Sequence, residues 1–208
     1  LYDREEQNHD PGCSRLPSEC RCPNVSWLWA THRLAVESVR SGKWMLFTDS
    51  DYVDSAWLSV VDLLAAGQLG SCAKAAPRNS TRDGQHLICV YTDDHEDVQD
   101  VFRVLFALRN SSITCASFRT LNYKTDYATN MGQYSSLSSA QYAGFEGAAS
   151  KPHKNHKISK YTSPGFPGIK NVRLVLNNIG PDFLHEVVAE LPVTSSQEEI
   201  EQYFCLHP

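Results

Sequence analysis

Hydrophobic and polar positions along the chain form two patterns, one typical of buried strands and one typical of amphipathic helices. Residues 43–48 (KWMLFT) are a short apolar and aromatic run with the length and bulk of a buried strand. In residues 53–64 the apolar side chains recur at spacings of three and four, which places them on one face of a helix. We expect Asp51 to cap this helix and Gly67 to end it.

The order of a strand followed by a helix recurs in the next part of the chain. Residues 71–76 predict a short strand, residues 77–85 a polar loop, and residues 86–92 (HLICVYT) another buried strand. The apolar stripe that follows predicts a second helix, capped by Asp94 and ended by Asn110.

The remaining segments have weaker patterns. Their compositions predict a short helix, a longer strand, a long loop, a last strand and two short helices, at residues 27–39, 113–123, about 135–168, 169–176, 182–191 and 196–205. Residues 1–26 show no periodicity and are predicted to be an irregular arm.

The size of the chain and the order of its elements indicate a fold class. The chain has 208 residues and no compositional break in the middle, which predicts one domain over residues 27–208. Strands and helices do not alternate strictly, which favours an α+β arrangement over a parallel sheet. We predict a curved, mostly antiparallel sheet with helices packed on its convex face.

Composition and charge narrow the classes of function. The hydrophobic share of 41% is typical of a globular protein, and the sequence contains no apolar run long enough for a membrane helix. The formal charge of −5 argues against a general electrostatic binder of nucleic acids. Seven cysteines, several of them in apolar stretches, favour reduced thiols and a cytoplasmic or nuclear protein.

Catalytic motifs are absent from the sequence. It contains no GxxxxGK[ST], GxGxxG, HExxH or GxSxG pattern, so we predict no cofactor and no catalytic residue.

His95 lies among Asp93, Asp94, Glu96 and Asp97, which suits an acid-base centre of a hydrolase or lyase, or a divalent-metal site. The competing interpretation, which we favour, is that these carboxylates interact with the dipole of a helix in its first turn.

A metal site in the N-terminal arm is a second possibility. Cys13, Cys20 and Cys22 offer three thiolates that a zinc ion prefers, and a histidine would complete a tetrahedral set. The spacing is not the usual CxxC pair, however. We therefore favour an arm without metal.

Positive side chains near the predicted strand ends are the remaining candidates for a binding site. If the sheet brings them together, they would bind phosphates, and Tyr123 or Tyr127 would stack on a base. These cations are Lys74, Arg78, Arg82, Arg119 and Lys124. The alternative is that they are ordinary solvated surface charges.

Three segments within residues 42–136 resemble an uncharacterised family of eukaryotic proteins, the basophilic-leukemia-expressed or Bles-type family. They are GKWMLF, LGSCAKAAP, and LICVYTDD followed by a helix and YKTDYATNMGQYSS. The order of elements is also similar to that of the messenger-RNA cap-binding initiation factors. That resemblance implies a cupped antiparallel sheet with helices on its convex back.

The resemblance also implies partners and a mode of binding. In the cap-binding factors two tryptophans sandwich the methylated guanine, cations bind the phosphates, and the convex face docks helical peptides. We therefore expect an RNA or nucleotide ligand. The alternative is a helical peptide partner on the convex face or the C-terminal helices, contacting apolar side chains of the second helix or Phe183, Val187 and Leu191. Trp44 and Trp57 fall at core positions of a strand and a helix, which leaves Trp27 and Trp29 as candidates for stacking.

Overall fold

The structure is a computed structural model. It describes residues 6–32, 40–81, 84–113, 119–130, 159–165, 170–177 and 185–206. Within these ranges, no helix combines the length and the hydrophobicity that crossing a membrane requires.

Within the described residues, eight antiparallel strands form one sheet in the order β1-β3-β4-β2-β5-β6-β7-β8. Strands from early and late parts of the chain are thus joined in a single layer. The strands are β1 (Leu28–Thr31), β2 (Gly42–Asp49), β3 (Cys72–Ala75), β4 (Gln85–Thr92), β5 (Leu121–Thr125), β6 (Tyr161–Ser163), β7 (Asn171–Asn177) and β8 (His185–Pro192).

Two long helices cover one face of this sheet. Helix α1 (Ser50–Ala65) packs on β1 to β4, and α2 (Val98–Asn110) packs on β4 and β7. The described part of the chain also contains the shorter helices α3 (Asp126–Asn130), directly after β5, and α4 (Gln197–Leu206), which contacts α2. The antiparallel sheet with helices on one face confirms the predicted α+β class.

The core lies between the helices and the sheet, and Trp44 is at its centre. Its side chain is 0% exposed, and its Nε1–H donates to the backbone oxygen of Val101 in α2 at 3.1 Å. The ring of Tyr123, its cross-strand partner, meets it edge-on with ring centroids 5.2 Å apart. Trp57 is 5% exposed on α1. Both tryptophans therefore occupy the core, as their sequence positions predict.

Gly42 makes room for Tyr123. A Cβ on residue 42 would collide with the ring and hydroxyl of Tyr123, and that hydroxyl shares a 2.6 Å hydrogen bond with Thr92 Oγ1. The absent side chain thus lets a polar group reach its partner inside the core.

The structure confirms several predicted elements and corrects others. Strands β2, β3 and β4 and helices α1, α2 and α4 lie where the hydrophobic pattern predicts them. Residues 27–39 were expected to be helical, but β1 begins at Leu28. Residues 182–191 were also expected to be helical, but the described part of this segment, from residue 185 on, belongs to β8, which pairs with β7. The predicted long loop contains β6, and the predicted last strand, β7, is followed by another.

The predicted helix caps are also corrected. The cap position of α1 is Asp49, which makes no side-chain capping bond, and Asp51 lies in the first turn. The cap of α2 is Asp97, whose Oδ1 accepts from the Asp100 N–H at 3.0 Å. Asp94 instead accepts from the Glu96 N–H in the preceding turn. Helix α2 therefore begins about one turn later than predicted.

Replacing Asp97 by alanine should lower the free energy of unfolding by about 1 kcal/mol, because a donor in the first turn of α2 loses its acceptor. As a control, Asp51→Ala should cost only about 0.3 kcal/mol, since Asp51 contributes only a charge near the start of α1. Urea unfolding of the two variants measures the difference. Equal losses would contradict the assignment of the cap.

Candidate functional site

Three lysines lie on the sheet face that α1 and α2 leave uncovered. Lys43 in β2 and Lys124 in β5 are direct cross-strand partners. Lys74 lies in β3, which is separated from β2 by β4. In β4, Cys89 is opposite Lys74 and Tyr91 is opposite Lys43. We call this surface, defined by Lys43, Lys74 and Lys124, the lysine face.

Aromatic rings surround Lys74. Its ammonium nitrogen lies 4.3 Å from the ring centroid of Trp27, 5.0 Å from that of Trp29 and 5.6 Å from that of Tyr91. Trp29 and Tyr91 stack on each other with an interplanar angle of 23° and centroids 6.1 Å apart. The rings and the ammonium group therefore form one cluster held by cation–π contacts.

An acidic residue accompanies the lysines. Asp126, the first residue of α3, forms an ion pair with Lys43 and accepts a hydrogen bond from Ser41 Oγ at 2.5 Å. Its backbone N–H donates to the Ser41 carbonyl at 2.8 Å. The start of α3 is thereby fixed against the lysine face.

Burial lowers the pKa of two lysines on this face, Lys74 and Lys124. Lys43 and Lys124 are each 6% exposed, and Lys74 is half-buried. Burial lowers the pKa of Lys124, and the charge of Lys43 lowers it further. The pKa of Lys74 is also lowered, mainly by burial and then by repulsion from Lys43. A bound anion would raise the pKa of both lysines again, because it favours their charged forms and so opposes the effects of burial and of repulsion from Lys43.

Two buried oxygens on the same face offer further hydrogen-bonding capacity. Among the described residues, Thr31 Oγ1 and Asn122 Oδ1 are buried and have no hydrogen-bond partner. The strand register places both on the lysine face, because Asn122 is opposite Met45 and Thr31 is opposite Cys72. Asn122 Oδ1 can accept a hydrogen bond from a ligand hydroxyl or amino group.

The structure separates the cations that the sequence grouped as phosphate ligands. Lys74 and Lys124 are both on the lysine face. Arg78 donates from Nη1 to the Ser18 carbonyl at 3.2 Å and so contacts the N-terminal arm. Arg119 donates to the Phe47 carbonyl at 3.3 Å, near the far end of β2. Arg82 lies outside the described residues.

The two tyrosines predicted to stack on a base are placed differently. Tyr123 is 0% exposed and belongs to the core on the helix-covered side, so its ring is not part of the lysine face. Strand alternation explains this, because Tyr123 precedes Lys124 and must point to the opposite face. Tyr127 is 56% exposed in α3, next to Asp126, and its stacking stays a prediction.

The His95 cluster makes contacts that hold the turn before α2. His95 Nδ1 lies 2.8 Å from Lys160 Nζ, and the His95 N–H donates to the Arg40 carbonyl at 2.7 Å. Asp94 forms an ion pair with Arg40 at 2.7 Å. Burial, followed by the charge of Lys160, lowers the pKa of His95 and favours its neutral form. These contacts fasten the turn, and His95 enters no proposal below.

The helical face contains a cavity of about 600 Å³ between α1, α2 and α4, lined by Leu63, Phe106 and Ile200 among others. Of the residues predicted to contact a helical peptide, Val187 is 49% exposed but belongs to β8 rather than to a helix. Leu191 packs partly against the core, and Phe183 lies outside the described residues. Peptide docking on this side stays a prediction.

Sequence reasoning missed part of the lysine face. Lys43 was included in an apolar strand, and Asp126 and Tyr91 were not singled out. Side chains alternate between the two faces of a strand, so in KWMLFT Lys43 points away from the face of the core residue Trp44. In HLICVYT the same alternation puts Tyr91 on one face with Cys89, and the strand register places Tyr91 opposite Lys43. Trp27 and Trp29 were candidates for stacking, and both lie against Lys74.

The comparison with protein families agrees with the resemblance noted in the sequence. The family model described as "Basophilic leukemia-expressed protein Bles03" matches residues 30–132, about half of the chain. The matched segment includes β2 to β5 and α1 to α3, and with them Lys43, Lys74, Lys124 and Asp126. The chain belongs to the Bles03 family.

Proposed function

We propose that this protein is a non-enzymatic binder of a nucleotide or an RNA end, and that the lysine face holds the phosphates. The observation that carries the proposal is the direct pairing of Lys43 and Lys124 across β2 and β5. Like charges opposite each other repel across a sheet, and Asp126 already forms an ion pair with Lys43, so a bound phosphate would add further negative charge beside the two lysines. Phosphate oxygens would form charge-assisted hydrogen bonds with ammonium groups on this face.

The neighbouring rings supply a surface for the base. Trp27, Trp29 and Tyr91 lie beside Lys74, so a base stacked on them would have its phosphates close to the lysines. Asn122 Oδ1 would accept from a sugar hydroxyl or a base amino group. The formal charge of −5 is compatible with this role, because the cations are concentrated locally.

The chemistry of the face favours binding over catalysis. Cys89, opposite Lys74, is a candidate nucleophile, but burial raises the pKa of its thiol to about 11. A protonated, 2% exposed thiol is a poor nucleophile. The lysine face thus offers phosphate and base contacts without an activated attacking group at this position.

Titration with a 5′-triphosphorylated dinucleotide, followed by tryptophan fluorescence, tests the proposal. We expect the fluorescence of Trp27 and Trp29 to change and the Tm to rise. Lys74→Gln and Lys124→Gln should each raise Kd about tenfold, since each removes a charge-assisted contact. Lys170→Gln, which removes an exposed charge ahead of β7, is the matched control and should leave Kd unchanged.

Two results would contradict this proposal. One is that the dinucleotide changes neither the fluorescence nor the Tm. The other is that the Lys74 and Lys124 variants, folded by circular dichroism, bind as tightly as the Lys170 control.

The same titration with a capped dinucleotide tests which ligand the face prefers. The ammonium group of Lys74 already lies against Trp27 and Trp29, so a positively charged methylguanine would compete with it for the rings. We therefore expect capped and uncapped dinucleotides to bind within about threefold of each other. A strong preference for the cap would instead favour a cap binder that moves Lys74 away.

A further inference from the structure

Four side chains of the N-terminal arm converge on one point. They are His9, Cys13, Cys20 and Cys22, and one ligand atom from each lies within 4.8 Å of all the others. The Cys20 Sγ and His9 Nδ1 atoms are 3.8 Å apart. Zinc bond lengths in a tetrahedral site imply sulfur–sulfur separations of about 3.8 Å and nitrogen–sulfur separations of about 3.6 Å. The cluster is thus close to the size of a tetrahedral zinc site.

The backbone of the arm is shaped to bring these side chains together. Residues 10–13 form a turn in which the Cys13 N–H donates to the Asp10 carbonyl at 3.1 Å, with Gly12 at φ 83°. A second turn follows, in which the Cys20 N–H donates to the Leu16 carbonyl at 2.8 Å. The irregular spacing of the ligands is therefore compensated by two turns.

Backbone N–H groups point at two of the sulfur atoms. The Asp10 N–H lies 3.2 Å from Cys22 Sγ, and the Arg15 N–H lies 3.4 Å from Cys13 Sγ. Donors directed at a thiolate orient it and stabilise its charge, as the surroundings of metal ligands commonly do. Thiols that only packed in an apolar core would not need backbone N–H donors directed at their sulfur atoms.

We propose that His9, Cys13, Cys20 and Cys22 bind one zinc ion. Three thiolates and one imidazole suit the softness and the tetrahedral preference of zinc. All four positions would be filled by the protein, so the site would be structural rather than catalytic. A four-iron cluster would place its ligands on separate iron atoms, which fits poorly with four ligand atoms that all lie within 4.8 Å of one another.

The position of the cluster shows what the ion would stabilise. The arm is joined to the domain by hydrogen bonds from Asn79 Nδ2 to the Arg21 carbonyl and from Ser18 N–H to Asp54 Oδ1. Cys20 and Cys22 are buried against the core. Trp27 and β1 follow directly, so the ion would fix the edge of the sheet that carries Trp27 and Trp29.

The test measures metal on the full chain, produced in the presence of zinc and dialysed against buffer without metal. We expect about one zinc ion per chain by mass spectrometry of the metal content. Cys13→Ser and Cys20→Ser should each lose most of it. Cys205→Ser, which changes an exposed cysteine of α4, is the matched control and should keep the full content.

Cobalt replacement provides a readout that does not depend on the variants folding. Addition of Co²⁺ to the metal-free chain should produce the visible absorption of a tetrahedral thiolate site, and zinc should abolish it. Removal of zinc by a chelator should lower the Tm by several degrees, because the ion binds only the folded arm.

Three outcomes would overturn the proposal. One is a reduced wild-type chain that holds no zinc and gives no tetrahedral cobalt spectrum. Another is a disulfide between two of the three cysteines in protein purified under reducing conditions. The last is zinc that stays bound when Cys13, Cys20 and Cys22 are all replaced by serine. None of these results depends on nucleotide binding, so this proposal and the proposed function can fail separately.

Discussion

Replacing Trp44 by alanine is expected to lower the free energy of unfolding by about 4 kcal/mol, the largest stability loss that we predict for this protein. The side chain is 0% exposed, and its removal would leave a cavity between β2 and α2. The loss also leaves the Val101 carbonyl without its 3.1 Å donor. Both effects act in the same direction.

Trp44→Phe separates the two contributions. Phenylalanine keeps an aromatic ring against Tyr123 but removes the Nε1–H donor, so we expect it to cost about half as much as alanine. Urea unfolding followed by circular dichroism gives both values. A loss below about 1.5 kcal/mol for Trp44→Ala would show that this position is not a packed core site.

Replacing Arg109 by alanine is expected to cost about 3 kcal/mol, because several buried acceptors lose one shared donor. Arg109 is 6% exposed and donates to the backbone oxygens of Ser163 at 2.6 Å, Arg119 at 2.9 Å and Pro164 at 3.2 Å. Burial lowers the pKa of Arg109 to about 10, so its guanidinium remains charged at neutral pH. These bonds tie β6 and the residues just before β5 to helix α2.

Arg103, on the same helix, is the matched control. It also donates to two backbone oxygens, those of Gln68 at 2.7 Å and Leu69 at 3.2 Å, but its side chain is 24% exposed. Water can replace it there, so Arg103→Ala should cost only about 1 kcal/mol. Urea unfolding compares the two variants, and similar losses would mean that burial does not set the cost at Arg109.

The central strands were predictable because the intrinsic preferences of their residues already favour the strand conformation. Residues 43–48 and 86–92 are mostly apolar and rich in β-formers, and both edges of β2 pair with neighbouring strands, β4 and β5. The edge elements were not predictable in this way. In the sequence of residues 182–191 the spacing of Phe183, Val187 and Leu191 imitates a helix, but pairing with β7 makes the described part of this segment, from residue 185 on, a strand.

The candidate sites were predictable only in part, for a related reason. The cations of a binding face come from strands that are distant in sequence, so Lys74 and Lys124 could be proposed while Arg78 and Arg119 could not be excluded. His9 could not be chosen among eight histidines, because its approach to Cys20 depends on two turns of the arm. The order of the strands and the path of the arm decide which of these side chains meet, and the composition of the sequence does not reveal either.

The close approach of Tyr123 to Gly42 restricts which residues can occupy these two positions, although they are 81 residues apart in the sequence (from 42 to 123). A family member that keeps tyrosine at position 123 must keep glycine at position 42, because any side chain there collides with the phenol ring. A member with a small residue at position 123 is released from that requirement. The two positions should therefore change together during evolution, with glycine lost only after tyrosine.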